Sequence, residues 1–555
     1  MIKLKVGLII DEGNQTNLIN DLIERSKKSE NYSIEYLIVQ KIRNHGKPNL
    51  KKYKNIDLII RVINSLFFSL IIKFEKKSLI KHKIYLKQFN IYKLESFNIP
   101  IIEVNPKKSK SGFVFKYSNE DISKIKKFDL DILIRGGSGI LRGDILNLCR
   151  FGILSLHHGN NDINRGGPPG FWEVYHRIPD TGFIIQKLCD ELDGGEVFVK
   201  GSIPTSTSFQ LNLVKIQIIA NIYFDRLLNS IGKEKALPQV YPQKPYSYDL
   251  YKLPSLRVQF LYLLKTFSYK ISNIISKKSG YNLNWAIAYC FNDNWDNLEF
   301  RKFKKIKNPP NRFYADPFVI CENGLNICFV EDYNYSEAKA KISAIQITTN
   351  GYVELGTVIE EPFHMSYPFI FRNGGDLFMC PETHQIGEIR LYKCIEFPLR
   401  WVFYKTIMKD VSASDTNIFY LNNKWWMLTN IDTAGVGDHC SELHLFFSDS
   451  LDNNVWMTHP SNPIFFSPLK ARNGGLLMKN DNLFRVFQVQ GFDNYGESMS
   501  VAKITEVSEH KYNEEVVFDI SPSFFKNLKG THTFSNHSNL NTIDYSKIEK
   551  IKNKS

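Results

Sequence analysis

Short apolar runs, many of them β-branched, recur through the first 205 residues at Val6–Ile10, Tyr36–Val39, Ile101–Val104, Leu130–Ile134 and Ile153–Leu156. Buried parallel strands have this character, because both of their faces are covered. Between the runs, Thr16–Lys27, Ile56–Lys73 and Glu120–Lys127 carry apolar residues at helical period. Strand and helix alternating in this way predict a doubly wound α/β sheet. A short helix at Phe171–Arg177 and strands at Gly182–Leu188 and Glu196–Ser202 extend it. Helical patterns over Ser208–Ile231 and Leu253–Ser276 then read as a bridge. The second is apolar and basic, which suits a helix packed on a neighbouring domain with its lysines in water, or an interfacial membrane helix.

From about Asn284 the pattern changes to short aromatic strands parted by turn residues. Tyr314-Ala-Asp-Pro-Phe-Val is followed by a turn at Glu322-Asn-Gly and by Ile327-Cys-Phe-Val-Glu-Asp. Ser366-Tyr-Pro-Phe-Ile-Phe, Asn373-Gly-Gly and Leu377-Phe-Met-Cys-Pro-Glu-Thr repeat that order, as do Ser414-Asp-Thr-Asn-Ile-Phe, Asn422-Asn and Trp425-Trp-Met-Leu-Thr-Asn. Ala471-Arg-Asn-Gly-Gly-Leu-Leu with Leu483-Phe-Arg-Val-Phe gives a fourth copy. A unit of about 50 residues with four strands predicts a β-propeller, and a remnant near Glu515–Asp519 brings the expectation to five blades. The polar, Lys-rich end reads as a frayed tail. The expected divisions are 1–205, a bridge over 206–283, a propeller over 284–530 and a tail over 531–555.

Composition narrows this picture. Of 555 residues, 43% are hydrophobic and 23% charged, which excludes a disordered or fibrous chain. The eight cysteines form no CxxC pair and no zinc spacing, so no metal is expected and a reducing cytoplasm fits best. The N-terminus lacks a signal-peptide pattern, and the apolar stretch Val62 to Ile72 is too short to span a bilayer. A soluble, cytoplasmic protein is expected. The formal charge of +14, with lysines crowding the first 130 residues and the bridge, suits an anionic ligand or an acidic inner membrane face. The loop Asp11-Glu-Gly-Asn-Gln-Thr-Asn is not a dinucleotide fingerprint.

The densest chemistry lies in Leu154-Ser-Leu-His-His-Gly-Asn-Asn-Asp-Ile-Asn-Arg-Gly-Gly-Pro-Pro-Gly-Phe-Trp-Glu-Val, directly after a strand, where open α/β sheets bind ligands. Cys189-Asp190-Glu-Leu192-Asp193-Gly-Gly is a second acidic turn after a strand. In order along the chain, Ile134-Arg-Gly136-Gly137-Ser138-Gly139-Ile140-Leu141, Ser155-Leu-His157 and Leu192-Asp193-Gly-Gly resemble the family of formyltransferases that use N10-formyltetrahydrofolate. The resemblance covers about Lys3–Ile203. It implies an α/β, Rossmann-like formyltransferase domain with N10-formyltetrahydrofolate as co-substrate. Gly136 to Leu141, Asp190 and Leu192 would hold the folate. His157 and Asp193 would stabilise the oxyanion and move a proton. Ser155 stands where the family has asparagine, and a hydroxyl reaches less far than a carboxamide. Asn160 or Asn161 could substitute. Trp172 is read as a ring-stacking residue or as packing for the short helix.

The C-terminal half resembles the N-terminal propeller of plant glucosamine inositolphosphorylceramide transferases, itself similar to family 43-type glycosidases. Tyr314-Ala-Asp316-Pro-Phe, Phe329-Val-Glu331-Asp332, Pro381-Glu382-Thr-His384, Glu388-Ile-Arg390-Leu-Tyr and Asp415 carry the likeness. It implies an all-β five-bladed propeller with Asp316, Glu331, Glu382 and Asp415 at an axial pocket. Hydrolysis, carbohydrate binding and scaffolding stay open for it. Together the resemblances imply an amino-sugar N-formyltransferase, acting on a nucleotide-linked sugar or a glycan in surface polysaccharide or glycolipid synthesis. They imply no nucleic-acid partner and allow peripheral membrane contact. The alternative is a glycan-binding or glycan-processing propeller protein with an inactive formyltransferase domain.

Overall fold

The computed structural model describes residues 2–41, 56–79, 83–109, 113–453 and 455–550. They divide into two compact units, Met1–Thr266 and Phe267–Ser555.

In the first unit, β1 (Leu4–Asp11), α1 (Asn17–Lys28), β2 (Tyr32–Gln40), α2 (Ile56–Leu79), β3 (Ile101–Val104), α3 (Asn119–Lys126), β4 (Ile132–Arg135) and β5 (Ile153–His157) come first. After them come α4 (Phe171–His176), β6 (Asp180–Lys187), β7 (Glu196–Pro204), α5 (Phe209–Glu234) and α6 (Leu256–Lys278), whose residues from Phe267 on belong to the second unit. The seven strands form one sheet in the order β7-β6-β5-β4-β1-β2-β3. β1 to β5 run parallel, and β6 and β7 add antiparallel pairs at one edge. The parallel strands are buried on both faces, as their unbroken apolar runs require. The order of the strands reverses between β1 and β4, the place in an open α/β sheet where ligands bind.

In the second unit, β8 (Tyr281–Phe291) comes first. β9 (Arg312–Glu322), β10 (Leu325–Asn334), β11 (Lys339–Thr348) and β12 (Gly351–Ile359) form an antiparallel meander. β13 (Ser366–Asn373), β14 (Asp376–Glu382), β15 (Glu388–Glu396) and β16 (Arg400–Lys409) form the next. A third holds β17 (Ala413–Leu421), β18 (Lys424–Ile431), β19 (Glu442–Ser448) and β20 (Met457–Thr458). The fourth holds β21 (Asn473–Lys479), β22 (Asn482–Gly491), β23 (Asn494–Val507) and β24 (Tyr512–Ile520). The fifth is assembled from both ends of the unit. β8 pairs along its whole length with β27 (Leu540–Lys550), which also pairs β25 (Leu528–Gly530) and β26 (Phe534–His537).

Strands β9, β13, β17, β21 and β26 contact one another in a closed ring. A separate apolar cluster fills each seam between neighbouring sheets. Two expectations are corrected here. Glu515–Asp519 is the outer strand of the fourth sheet rather than the trace of a fifth repeat. Residues 534–550, expected to be a frayed tail, are closing strands. Alternate side chains of β27 such as Ile543 and Tyr545 are buried in the seam, a pattern that polar neighbours hid.

Candidate functional site

The repeats build an acidic cluster through a bulge. In β9 the pairing jumps from Ala315–Glu331 to Phe318–Phe329, in β13 from Ser366–Glu382 to Phe369–Cys380, and in β17 from Ser414–Asn430 to Asn417–Leu428. The residue inside each bulge is left-handed: Asp316 (φ 48°), Tyr367 (φ 46°) and Asp415 (φ 49°). In β21 the pairing jumps from Asn473–Phe487 to Gly475–Val486, so the residue inside is Gly474, and Gly475 (φ 129°) follows it. A bulge redirects its side chain, and non-glycine residues hold this conformation only where their surroundings compensate. Here the compensation is a chain of hydrogen bonds from sheet to sheet. Thr533 Oγ1 and the Tyr367 amide donate to Asp316 at 2.8 and 3.2 Å, and the Tyr367 hydroxyl donates to Asn417 at 2.9 Å. Gln488 Nε2 and Arg472 Nε donate to Asp415 at 2.9 and 2.6 Å.

Glu331 and Glu382 occupy equivalent register positions on the adjacent strands, so four carboxylates from three sheets converge. Arg472 spans two of them, with Nη2 at 3.5 Å from Glu382. His384 Nδ1 lies 2.7 Å from the other oxygen of Glu382. His532 sits between Asp544 at 2.5 Å and Asp316 at 3.8 Å, stacked on Trp285 with ring centroids 3.8 Å apart. Among the described residues, Asp316, His532 and Asp544 are the group whose donor atoms are close enough to share a cation. Tyr495 lies beside His532 and the Arg472 guanidinium and keeps 37% of its surface exposed, so it borders the open side.

Glu331 and Glu382 are held in opposite protonation states. Burial, reinforced by the negative charge of Asp316 and Glu382, pushes Glu331 well above the usual carboxylate range. Burial alone would do the same to Glu382, but its hydrogen bond with His384 and the charge of Arg472 hold it well below. The hydrogen bond to Glu382 in turn raises His384. His439, whose ring lies 4.9 Å from that of His384, is driven down to about 4 by burial and by Arg472. A neutral acid and an ionised carboxylate in one cluster are the pair that binding and protonating a glycosidic oxygen requires.

The four carboxylates were chosen from the sequence; Arg472, His532, Asp544, Gln488 and Trp285 were not. Arg472 stood inside the fourth repeat, where a basic residue broke the acidic pattern. His532 and Asp544 belonged to the stretch expected to be a tail.

In the first unit, β5 ends at His157, whose Nε2 lies 3.1 Å from the Asn164 carbonyl oxygen and whose Nδ1 lies 3.6 Å from Asp193. The turn at Asp193 (φ 51°) closes tightly: a Cβ on Gly195 would lie 1.9 Å from the Lys187 carbonyl oxygen. Gln186 Oε1 accepts the Gly195 amide at 3.2 Å. Asp11 accepts the Ser138 amide at 2.9 Å and so ties the loop Gly136–Gly139 to the end of β1. Ile140 is half-buried at the start of a short strand, and Leu141 lies in the apolar core. The Gly143 amide reaches toward Asp190 at 3.5 Å, and the Leu192 carbonyl oxygen accepts from Arg165 at 3.4 Å. Ser155 is buried within the sheet between Arg135 and Gln186. Trp172 stacks on Tyr251 with centroids 4.8 Å apart, a packing role. Next to the Asp193 turn, a cavity of about 380 Å³ is lined by Asn161, Arg165, Lys200, Gln243, Lys244 and Tyr246, among others.

Residues 302–551 match the family model described as Glucosamine inositolphosphorylceramide transferase 1, N-terminal. The likeness lies in the five-sheet unit. The relative of that name in Arabidopsis thaliana is 32% identical over 220 residues, covering 39% of this chain and 28% of the relative. The one in Oryza sativa subsp. japonica is 30% identical over 210 residues, covering 37% and 28%. The chain thus spans less than a third of the length of these curated relatives. Among solved structures, a phosphoribosylglycinamide formyltransferase from Anaplasma phagocytophilum has a TM-score of 0.28 at 15% identity, covering 42% of this chain and 89% of that one. A family 117 glycoside hydrolase from Zobellia galactanivorans has 0.31 at 10%, covering 49% and 92%. Likenesses this weak carry no argument about function.

The expected activity is corrected by these findings. The relatives are named for transfer involving glucosamine and inositolphosphorylceramide, not for one-carbon transfer. Formyl transfer, the formyltransferase class and N10-formyltetrahydrofolate as co-substrate are therefore set aside.

Proposed function

We propose that the chain takes part in building or modifying a glycoconjugate, and that its second unit is a five-bladed propeller holding a saccharide at one end of its axis. Glucosamine, the sugar in the relatives' name, is the leading candidate. The observation that carries the reading is the convergence of Asp316, Glu331, Glu382, Asp415 and Asp544 with Arg472, His384 and His532. Ionised Glu382, beside the exposed edge of His384, accepts hydrogen bonds from an ammonium or from hydroxyls, and Tyr495 offers a ring face to the sugar. Neutral Glu331 is a proton donor within the same cluster, so the site supports glycosidic chemistry as well as binding.

Calorimetric titration of the full chain with glucosamine, N-acetylglucosamine and glucose tests this. Glucosamine binding tightest is the expected order, weakened about tenfold in Glu382→Gln, the loss of one charge-assisted hydrogen bond. Absence of binding to all three sugars, or equal binding by the variant, would overturn the reading.

A further inference from the structure

Helices α2 and α6 each carry an apolar stripe that their own fold does not use. On α2, Phe68, Ile71 and Leu79 turn inward, with Phe68 and Ile71 packed against Phe171, Phe209 and Tyr262. A second stripe on α2, Ile59, Ile63, Leu66 and Leu70, recurs at the same helical spacing and faces solvent, Leu66 and Leu70 with more than 60% of their surface exposed. On the part of α6 that belongs to the first unit, Gln259 and Tyr262 are buried, while Leu256, Phe260 and Leu264 form an exposed stripe at helical spacing. The two helices meet where Gln259 Nε2 donates to the Asn64 carbonyl oxygen at 3.0 Å and the Tyr262 hydroxyl donates to Glu75. A surface helix ordinarily turns polar residues outward. Two stripes left open on adjoining helices call for an occupant.

The charges identify it. Arg61, Lys73, Lys76 and Lys77 on α2 and Arg257 and Lys265 on α6 are exposed, and α6 contains no acidic residue. Glu75 is buried, accepting the Gln210 amide at 2.8 Å as well as the Tyr262 hydroxyl. An apolar face bordered by cations of one sign matches an anionic lipid surface, into which the apolar side chains dip while the cations meet phosphates. A second copy of the same face would set cation against cation. Among the described residues no helix is long and apolar enough to cross a membrane, so the helices would lie along its surface.

We propose that α2 and α6 dock this protein onto an anionic membrane surface. The inference is independent of the saccharide reading. Its test is co-sedimentation of the full chain with vesicles of phosphatidylcholine alone and of phosphatidylcholine with about 30% phosphatidylserine, at low and high salt. The expected result is binding to the anionic vesicles, weakened by salt. Leu66→Glu with Leu70→Glu, and separately Phe260→Glu with Leu264→Glu, should each lower it at least about tenfold. These positions are exposed, so the variants should keep the parent's circular dichroism and melting temperature. Lys73→Glu with Lys77→Glu, which leaves the apolar stripe intact, should lower binding to anionic vesicles and not to neutral ones. Equal sedimentation with and without the substitutions would overturn the proposal, as would failure to bind either vesicle. So would a dimer in sedimentation velocity that the same substitutions dissociate in the absence of vesicle binding, because the occupant would then be a second copy.

Discussion

Replacing Arg472 by methionine would leave Asp415 and Glu382, both buried, without the guanidinium that now lies 2.6 Å from one and 3.5 Å from the other. Removing one partner of a buried ion pair costs about 3–5 kcal/mol, because the remaining charge is neither solvated nor paired. For a unit of this size, each kcal/mol shifts the melting temperature by roughly 2 °C, so the second unit should melt about 6–10 °C lower near neutral pH. The loss should depend on pH in a definite direction. In the parent, Glu382 is held below its ordinary value, so its contribution is complete above about pH 4.5 and is lost only as pH falls toward the depressed value. In the variant Asp415, which burial already raises well above the usual carboxylate range, loses the charge that opposes the rise, and Glu382 keeps His384 alone against burial. Relative to the parent both gain protons more readily, and the variant's deficit grows as pH rises above about 4.5. Calorimetric melts of parent and variant between pH 4.5 and 8 should therefore diverge as pH increases, and adding Asp415→Asn to the variant should recover part of the difference. A deficit constant across this range, or a loss under about 1 kcal/mol, would mean that Arg472 is not neutralising these carboxylates, and the electrostatic account of the site would fail.

Gly475→Ala should destabilise the second unit by about 2 kcal/mol or more, measured by denaturant melts, because its φ of 129° disfavours a side chain and the new Cβ would lie 2.5 Å from the Phe534 carbonyl oxygen of the neighbouring sheet. Arg485→Met should cost about 3–5 kcal/mol in the same assay, since Glu514 would lose two hydrogen bonds of 2.7 and 2.8 Å and the Lys470 carbonyl oxygen one of 2.9 Å. Ending the chain after residue 530 should abolish the cooperative melt of the second unit, because β26 and β27 close its fifth sheet; an unchanged melt would show that the ring does not need them. His157→Ala should leave saccharide binding unchanged in calorimetry, since His157 belongs to the first unit and the carboxylate cluster to the second.

The strands of the first unit were legible because their apolar runs are uninterrupted. Ile101–Val104 has the same bounds by pattern and by structure, and β1, β2, β4 and β5 differ by at most a few residues at their ends. The helix expected to end at Lys73 runs on to Leu79, because Glu75, polar in sequence, points inward to Tyr262 and the Gln210 amide. A buried acid satisfied by distant partners has no signature in local periodicity. The same limit hid β27. Its inward residues alternate with Thr542, Asp544 and Ser546, which are themselves buried and hydrogen-bonded or paired across the sheet, so a polar sequence builds a core strand.

The site was legible only where the repeat kept an acidic residue, and the bulge explains why. The left-handed position holds Asp316, Tyr367 and Asp415 in the first three sheets, residues of different chemistry that share one region of backbone conformation. A search for paired carboxylates finds two of them and passes over Tyr367, although its amide donates to Asp316 and its hydroxyl to Asn417, joining three sheets. The repeat therefore specifies a geometry, and the copies fill it with different functions. Two copies present a carboxyl group and one provides a linking ring, while in the fourth sheet the irregularity lies at Gly474 and Gly475, where the backbone of His532 and Phe534 approaches closely. Arg472, directly before the inner strand of that sheet, meets the carboxylates of the second and third. Gly475→Asp would test how far this close approach constrains the site. It would set another buried carboxylate against the Phe534 carbonyl oxygen, and the expected result is a less stable protein with weaker sugar binding.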